Sequence, residues 1–304
     1  MSTTDTTTPH TPQDAAGAAP HTADGLDDDT TRYAPEWLQL REPADAAARA
    51  EALLGPLRDH LASGRRDAED GAQVVRDLGC GTGSMGRWLA PRLPGAQHWI
   101  LHDHDPELLA RAAASAPSGA ADGSPVTVAT ACGPIAGLTA EALAGTALVT
   151  ASALLDVLTP EELHRLVAAC TGAGCPALLA LSVVGRVEIT PADPLDAEIA
   201  DAFNAHQRRE ELLGSDAVAA ATDAFEAAGA TVRVATSAWR LGPDASALAA
   251  EWLRGWVAAA CEQRPELTDR AEEYLRRRLA ACAAGELRVV VHHSDLLALP
   301  PAAA

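Results

Sequence analysis

The 304-residue chain contains no lysine; all 23 of its basic residues are arginine. Chemistry that depends on a lysine amine is excluded: Schiff-base catalysis, attachment of pyridoxal phosphate, and the phosphate-binding lysine of a Walker loop. Positive charge is scarce as well, with 23 basic against 42 acidic residues and a formal charge of −19. Nucleic-acid binding draws on a basic patch that displaces counterions, so nucleic acid is not expected as a partner. Aromatic residues make up 3% of a chain that is 48% hydrophobic. The core therefore falls to Ala, Leu and Val, which suits helices packed on a buried parallel sheet. Cys80, Cys132, Cys170, Cys175, Cys261 and Cys282 form no CxxC pair, and a chain this long needs no disulfide staples, so free thiols in a reducing compartment are expected. Arg, Asp, Glu, Pro or Gly breaks every apolar run short of the roughly 18 residues of a membrane span. Residues 1–31, rich in Thr, Ala, Asp and Pro, lack the basic and apolar segments of a signal peptide and read as a disordered tail. The expectation is a cytoplasmic protein without membrane association; its oligomeric state is not legible.

Residues 32–70 read as a helical lead-in, with Pro43 at a helix start and an Ala/Leu/Arg-rich stretch from Ala44 to Leu61. Strand and helix signals then alternate through 71–304. Val74–Leu78 is a predicted strand, Ser84–Leu93 a helix, His98–His102 a strand, Pro106–Ala114 a helix and Val126–Thr130 a strand. Thr139–Leu143 reads as a short helix, Ala147–Ala151 as a strand, Pro160–Cys170 as a helix, Ala177–Val184 as a strand, Ser215–Ala228 as a helix and Thr231–Ala235 as a strand. Leu287–His292 closes the series. Such alternation predicts an α/β fold: a doubly wound, mostly parallel sheet of about seven strands with helices on both faces. Two stretches, about 185–214 and 241–285, interrupt it and read as helical cap insertions over a substrate site.

The chemistry concentrates in Asp77-Leu78-Gly79-Cys80-Gly81-Thr82-Gly83, between a predicted strand and a predicted helix. Glycines there let backbone N–H groups approach a ligand closely. Gly81, Gly83 and Gly86 also satisfy GxGxxG, and Asp103 lies where a dinucleotide site places its ribose acid, so an NAD(P)-dependent oxidoreductase is the rival reading. Asp77 separates the two: an acid at the strand end suits a cationic or hydrogen-bond-donating group and repels a diphosphate. Met85 and Trp88, behind the loop, read as packing residues.

In Asp77, Gly79, Gly81 and Gly83 the chain resembles the class I S-adenosylmethionine-dependent methyltransferases, whose first motif is acid-x-Gly-x-Gly-x-Gly. Asp103-His104-Asp105-Pro106 is similar to the end of that family's second strand. The resemblance implies S-adenosyl-L-methionine as cofactor, with Asp77 toward the ammonium of its methionine end, Asp103 on the ribose hydroxyls and His104 beside the adenine. Gly79, Cys80, Gly81 and Gly83 would form the cradle, and Ser152, at the end of strand four, a further cofactor contact. After strand three many family members carry an acid for the adenine amino group; here Ala131-Cys132-Gly133-Pro134-Ile135 offers none. The implied reaction is O- or C-methylation of a small-molecule acceptor; a non-catalytic cofactor-binding protein is the second rival.

Candidates for the acceptor side are fewer. Asp156 follows a strand end at the carboxyl edge of the sheet, where open α/β proteins bind ligands; it could equally cap the helix that begins at Pro160. His206 is a candidate base, and Arg208 and Arg209 candidate carboxylate contacts, in a cluster that reads equally as a solvated surface. Tyr33 and Trp37 are candidates to fold over the site or to anchor the core. His292 and His293 alternate faces of the last strand, and Trp252 and Trp256 share a helical face; structural roles are expected for both pairs. His102, Asp103, His104 and Asp105 are rich in ligand atoms, but strand alternation sends neighbours to opposite sides, and the resemblance, which carries most of the weight, implies no metal.

Overall fold

The computed structural model describes residues 34–64 and 71–300. The tail, Tyr33 and the polar stretch 65–70 lie outside the described residues. The lead-in forms two helices, α1 (Pro35–Ala48) and α2 (Leu54–Gly64). Pro43 sits inside α1; the start is set by Pro35 at the first helical position, where the missing N–H costs nothing.

Eight strands follow: β1 (Gln73–Leu78), β2 (Gln97–Asp103), β3 (Val126–Cys132), β4 (Thr146–Ser152), β5 (Ala177–Thr190), β6 (Thr231–Thr236), β7 (Trp239–Leu241) and β8 (Arg288–Leu299). Their order is β3-β2-β1-β4-β5-β8-β6, with β7 alongside β8. The strands from β3 to β5 pair in parallel, whereas β8 runs antiparallel to β5, β6 and β7. The expected doubly wound sheet is present, with three-residue β7 as the addition to the seven strands anticipated. The helices are α3 (Ser84–Leu89), α4 (Pro106–Ala114), α5 (Pro160–Gly172), α6 (Asp196–Gln207), α7 (Ala217–Ala227), α8 (Ser246–Gln263) and α9 (Thr268–Ala283). Thr139–Leu143 is a turn and not a helix: only a 3-10 turn at Ile135–Gly137 joins β3 to β4.

Each face of the sheet buries its own apolar set. Leu57, Met85, Trp88, Leu89, Trp99 and Leu297 belong to one; Leu78, Val149, Leu163, Leu166, Phe225 and Leu296 to the other. Adjacent Leu296 and Leu297 divide between them because side chains alternate along a strand. A third apolar cluster lies beyond the carboxyl edge. There β5 continues past Gly185, with register shifts against β8, and α6, α8 and α9 bury Ile199, Leu253, Trp256 and Tyr274 against Val289 and Val291. The region 185–214, read from sequence as a helical cap insertion, is not helical from its start: its first six residues are strand. Trp37, Leu40 and Ala44 of α1 pack on the same cluster, so α1 bridges the sheet edge and the cap.

Candidate functional site

Register places the acid. Asp77 pairs with Thr150 across β1 and β4, and Thr150 Oγ1 donates to Asp77 Oδ1 at 2.8 Å. Asp77 Oδ2 is buried with no hydrogen-bond partner among the described residues. Burial pushes its carboxyl up to about 7, against the opposing pull of the Thr150 hydrogen bond and the Arg49 guanidinium. A buried carboxylate of this kind destabilises the fold until a cation or donor reaches it.

The glycine loop is held by β2. Cys80 N donates to His102 O at 3.0 Å, and Gly81 N to Asp103 Oδ2 at 2.8 Å. Gly79, Gly81 and Gly83 have φ of +60°, +53° and +83°. At Gly83 a side chain is doubly excluded, since a Cβ would lie 3.1 Å from Ala112 Cβ and 3.3 Å from its Cα in a backbone region L-residues seldom adopt. At Gly81 a Cβ would project to within 3.2 Å of Leu38 on α1, which shows how closely α1 leans on the loop.

Between loop and helix lies a cleft, open to solvent and walled by Asp77, Gly79, Cys80, Gly81, Thr82, Ser84, Met85 and Ser152, with Leu38, Arg41 and Asp45 from α1. Five of the residues anticipated from sequence line it: Asp77, Gly79, Cys80, Gly81 and Ser152. Gly83 stands behind them as the first residue before α3. Asp103 is buried, its Oδ1 accepting from Asp105 N at 3.0 Å, and exposed His104 stands 3.4 Å from that same oxygen. Cys80 is buried and its thiol is pushed well above the usual range by burial, so it serves as wall.

The acceptor candidates stand outside this wall. Thr159 and Glu162 form a reciprocal capping box on α5, so Asp156 is not needed as the cap. Its carboxyl is buried, Oδ1 has no partner among the described residues, and burial raises it to about 6 while the charge of Arg41 pulls it down. His206 is buried at the end of α6, 3.7 Å from Glu262, and is lowered to about 4 by burial and by Arg209. Arg208 bonds Ser215 Oγ at 2.8 Å, and Arg209 bonds the His206 carbonyl at 3.0 Å. Trp37 packs into the cap cluster. Among the described residues no group of three or more His, Cys, Asp or Glu is arranged to hold a metal ion, and no helix is long and apolar enough to cross a membrane.

Sequence reasoning missed the contribution of α1 and of the turn after it. Arg41 makes a double contact with Asp45, at 2.9 and 3.3 Å, and lies 5.1 Å from the Trp239 ring. Trp239 Nε1 donates to Asp45 at 2.9 Å. Glu42 grips Arg87 of α3 through two bonds, at 2.7 and 2.6 Å. Arg49, just past α1, reaches Ser84 and Ser152. Only an acid or base at the right helical phase could have hinted at these contacts, and nothing local marks the partner.

Residues 75–176, from within β1 to the residue before β5, match a family model described as a methyltransferase domain. About a third of the chain is thus similar to a methyltransferase domain. The matched segment contains Asp77, the glycine loop, Asp103, Ser152 and Asp156, and leaves out α1, Arg49 and the cap helices. No curated protein matches the chain. Solved structures similar to it include a cyclopropane synthase from Mycobacterium tuberculosis, at 13% identity over 82% of this chain and 84% of that one, with a TM-score of 0.40. Another is an S-adenosylmethionine-dependent methyltransferase from Geobacter sulfurreducens in complex with S-adenosyl-L-homocysteine, at 16% identity over 88% and 98% and a TM-score of 0.41. A third is magnesium protoporphyrin IX methyltransferase from Synechocystis with bound S-adenosylhomocysteine, at 16% identity over 61% and 77% and a TM-score of 0.37. At these identities and scores the likeness does not extend to ligands or substrates.

Proposed function

We propose that this chain uses S-adenosyl-L-methionine to methylate a small-molecule acceptor at oxygen or carbon. The observation that carries the reading is Asp77: a buried carboxylate in the cavity wall with one oxygen unpartnered, suited to an ammonium and hostile to a diphosphate. The residues fit the group in a second respect, because the Gly81 cradle sits where a side chain would close the gap to Leu38. When bound, the cofactor would supply an electrophilic methyl on a sulfonium; the chain's part is to hold it, to exclude water and to align the acceptor.

In this reading Asp77 takes the ammonium, Asp103 the ribose hydroxyls, His104 the edge of the adenine, and Ser152 the methionyl end. Asp103 spends one acceptor site of each oxygen on Gly81 N and Asp105 N, which fixes the carboxylate for two further bonds. Asp156, whose carboxyl burial raises to about 6, is the first candidate to hold an acceptor's proton. His206 stays neutral at physiological pH and is the second candidate. The acidic chain favours a small acceptor over a nucleic acid.

The test is isothermal titration of the full chain with S-adenosylhomocysteine and, separately, with NAD(H) and NADP(H). Binding of S-adenosylhomocysteine alone is expected. Binding of a nicotinamide nucleotide alone would overturn the reading in favour of the GxGxxG alternative.

A further inference from the structure

Arg49 is a buried cation behind the cavity wall that neither the glycine motif nor the family match accounts for. It is 3% exposed, and its position is fixed from both sides. Its own N–H closes α1 on Asp45 O at 3.0 Å, and the next residue's N–H donates to Asp295 Oδ2 of β8 at 2.8 Å. From there the side chain runs beside the Trp88 ring, 5.6 Å from its centroid, toward the glycine loop. Nη1 donates to Ser84 O at 3.3 Å; Nη2 donates to Ser84 Oγ at 3.0 Å and to Ser152 Oγ at 3.2 Å; Nε has no partner among the described residues.

Every acceptor Arg49 uses is a neutral oxygen. No carboxylate lies within ion-pair distance of it among the described residues, although Asp45, Asp77 and Asp295 are close enough to support its charge at longer range. A buried guanidinium that bonds only neutral groups is costly to keep, and a planar fork with donors to spare matches a carboxylate. Its serine partners Ser84 and Ser152 line the cavity, as does Asp77. The methionyl end of the proposed cofactor carries an ammonium and a carboxylate on one carbon.

We propose that Arg49 binds the carboxylate of the cofactor's amino-acid end while Asp77 binds its ammonium, so that the two buried charges together select a zwitterion. This rests on the reading of the site as an S-adenosylmethionine site, and it assigns part of that site to a turn outside the matched domain. Ser84 and Ser152 are positioning residues that aim the guanidinium.

Titration calorimetry of the full chain with S-adenosylhomocysteine, its decarboxylated analogue and 5′-methylthioadenosine tests it. The wild-type protein is expected to bind S-adenosylhomocysteine about 10- to 100-fold more tightly than the decarboxylated analogue, the factor for a hydrogen bond to a charged group. Arg49→Gln is expected to remove that preference by weakening S-adenosylhomocysteine alone, and Arg49→Lys, which keeps the charge but not the fork, to fall between. A wild-type protein that binds the two ligands equally overturns the assignment whether or not the variants fold. So does a folded Arg49→Gln protein that keeps the preference or loses both ligands equally. A wild-type protein that binds neither overturns the proposed function itself.

Discussion

If Asp77 takes the cofactor's ammonium as proposed, cofactor binding should release a proton at mildly acidic pH. Burial pushes its carboxyl up to about 7, whereas pairing with an ammonium requires the ionised form. With that value about 0.9 proton occupies the carboxyl at pH 6 and about 0.2 at pH 7.5, and binding must expel it. S-adenosylhomocysteine affinity should then fall about eightfold from pH 7.5 to pH 6. The assay is calorimetry at pH 6 in two buffers of different ionisation enthalpy; the slope of observed against buffer enthalpy gives the protons released. 5′-Methylthioadenosine, which lacks the ammonium, should release none through this group, and Asp77→Asn should abolish the release. Arg49 helps hold the carboxyl down, so Arg49→Gln should move the midpoint upward. A buffer-independent enthalpy for S-adenosylhomocysteine at pH 6, or equal release with methylthioadenosine, would refute the assignment of Asp77.

The same burial has a stability cost of known sign. An acid whose folded pKa is raised binds more protons folded than unfolded, so its destabilising effect grows as pH rises from the unfolded value of 3.8 to about 7 and levels off above that at no more than about 4 kcal/mol; Asp77→Asn should raise the melting temperature at pH 8 while weakening S-adenosylhomocysteine binding. Gly83→Ala combines a left-handed backbone with a Cβ against Ala112 and should destabilise by about 2–4 kcal/mol, read as a denaturation midpoint. Adding Ala112→Gly should recover only the part due to the clash. Asp103→Ala strands Gly81 N and Asp105 N, which should lower stability by about 1–3 kcal/mol. It should weaken S-adenosylhomocysteine and methylthioadenosine alike, because the loss falls on the nucleoside end; a selective loss of one ligand would contradict that placement.

What could be read from sequence is what is encoded locally. Asp77 and the three glycines occupy one strand–turn–helix unit, and Asp103 ends the neighbouring strand, so spacing alone brought them near one another. The interruptions misled where a local breaker is overruled by pairing. Gly185 signals a strand end, yet β5 runs through it because β8 supplies a partner on the far side of the bulge. There Gly185 takes φ +70°, and a Cβ would meet Ser215 at 2.9 Å. Strand β7 is three residues long, too short for alternation to register, and forms because β8 offers it an edge. The turn at 139–143 lacks the length in which a helix repeats its apolar positions.

Arg49 was illegible for a stricter reason. Its partners Ser84 and Ser152 are 35 and 103 residues away, and nothing within a window around it distinguishes a buried guanidinium from a solvated one. The lead-in nevertheless completes the site: α1 places Leu38 over Gly81, brings Arg41 and Asp45 into the cavity wall, and is tied to α3 by Glu42 and to β7 by Asp45. Each tie fixes the end of α1 from which Arg49 projects, so positioning one charge at the glycine loop depends on contacts with both the sheet edge and the cap. In the proposed reading the matched segment would hold the nucleoside end and one pole of the amino acid, and Arg49, in chain that precedes it, would supply the other.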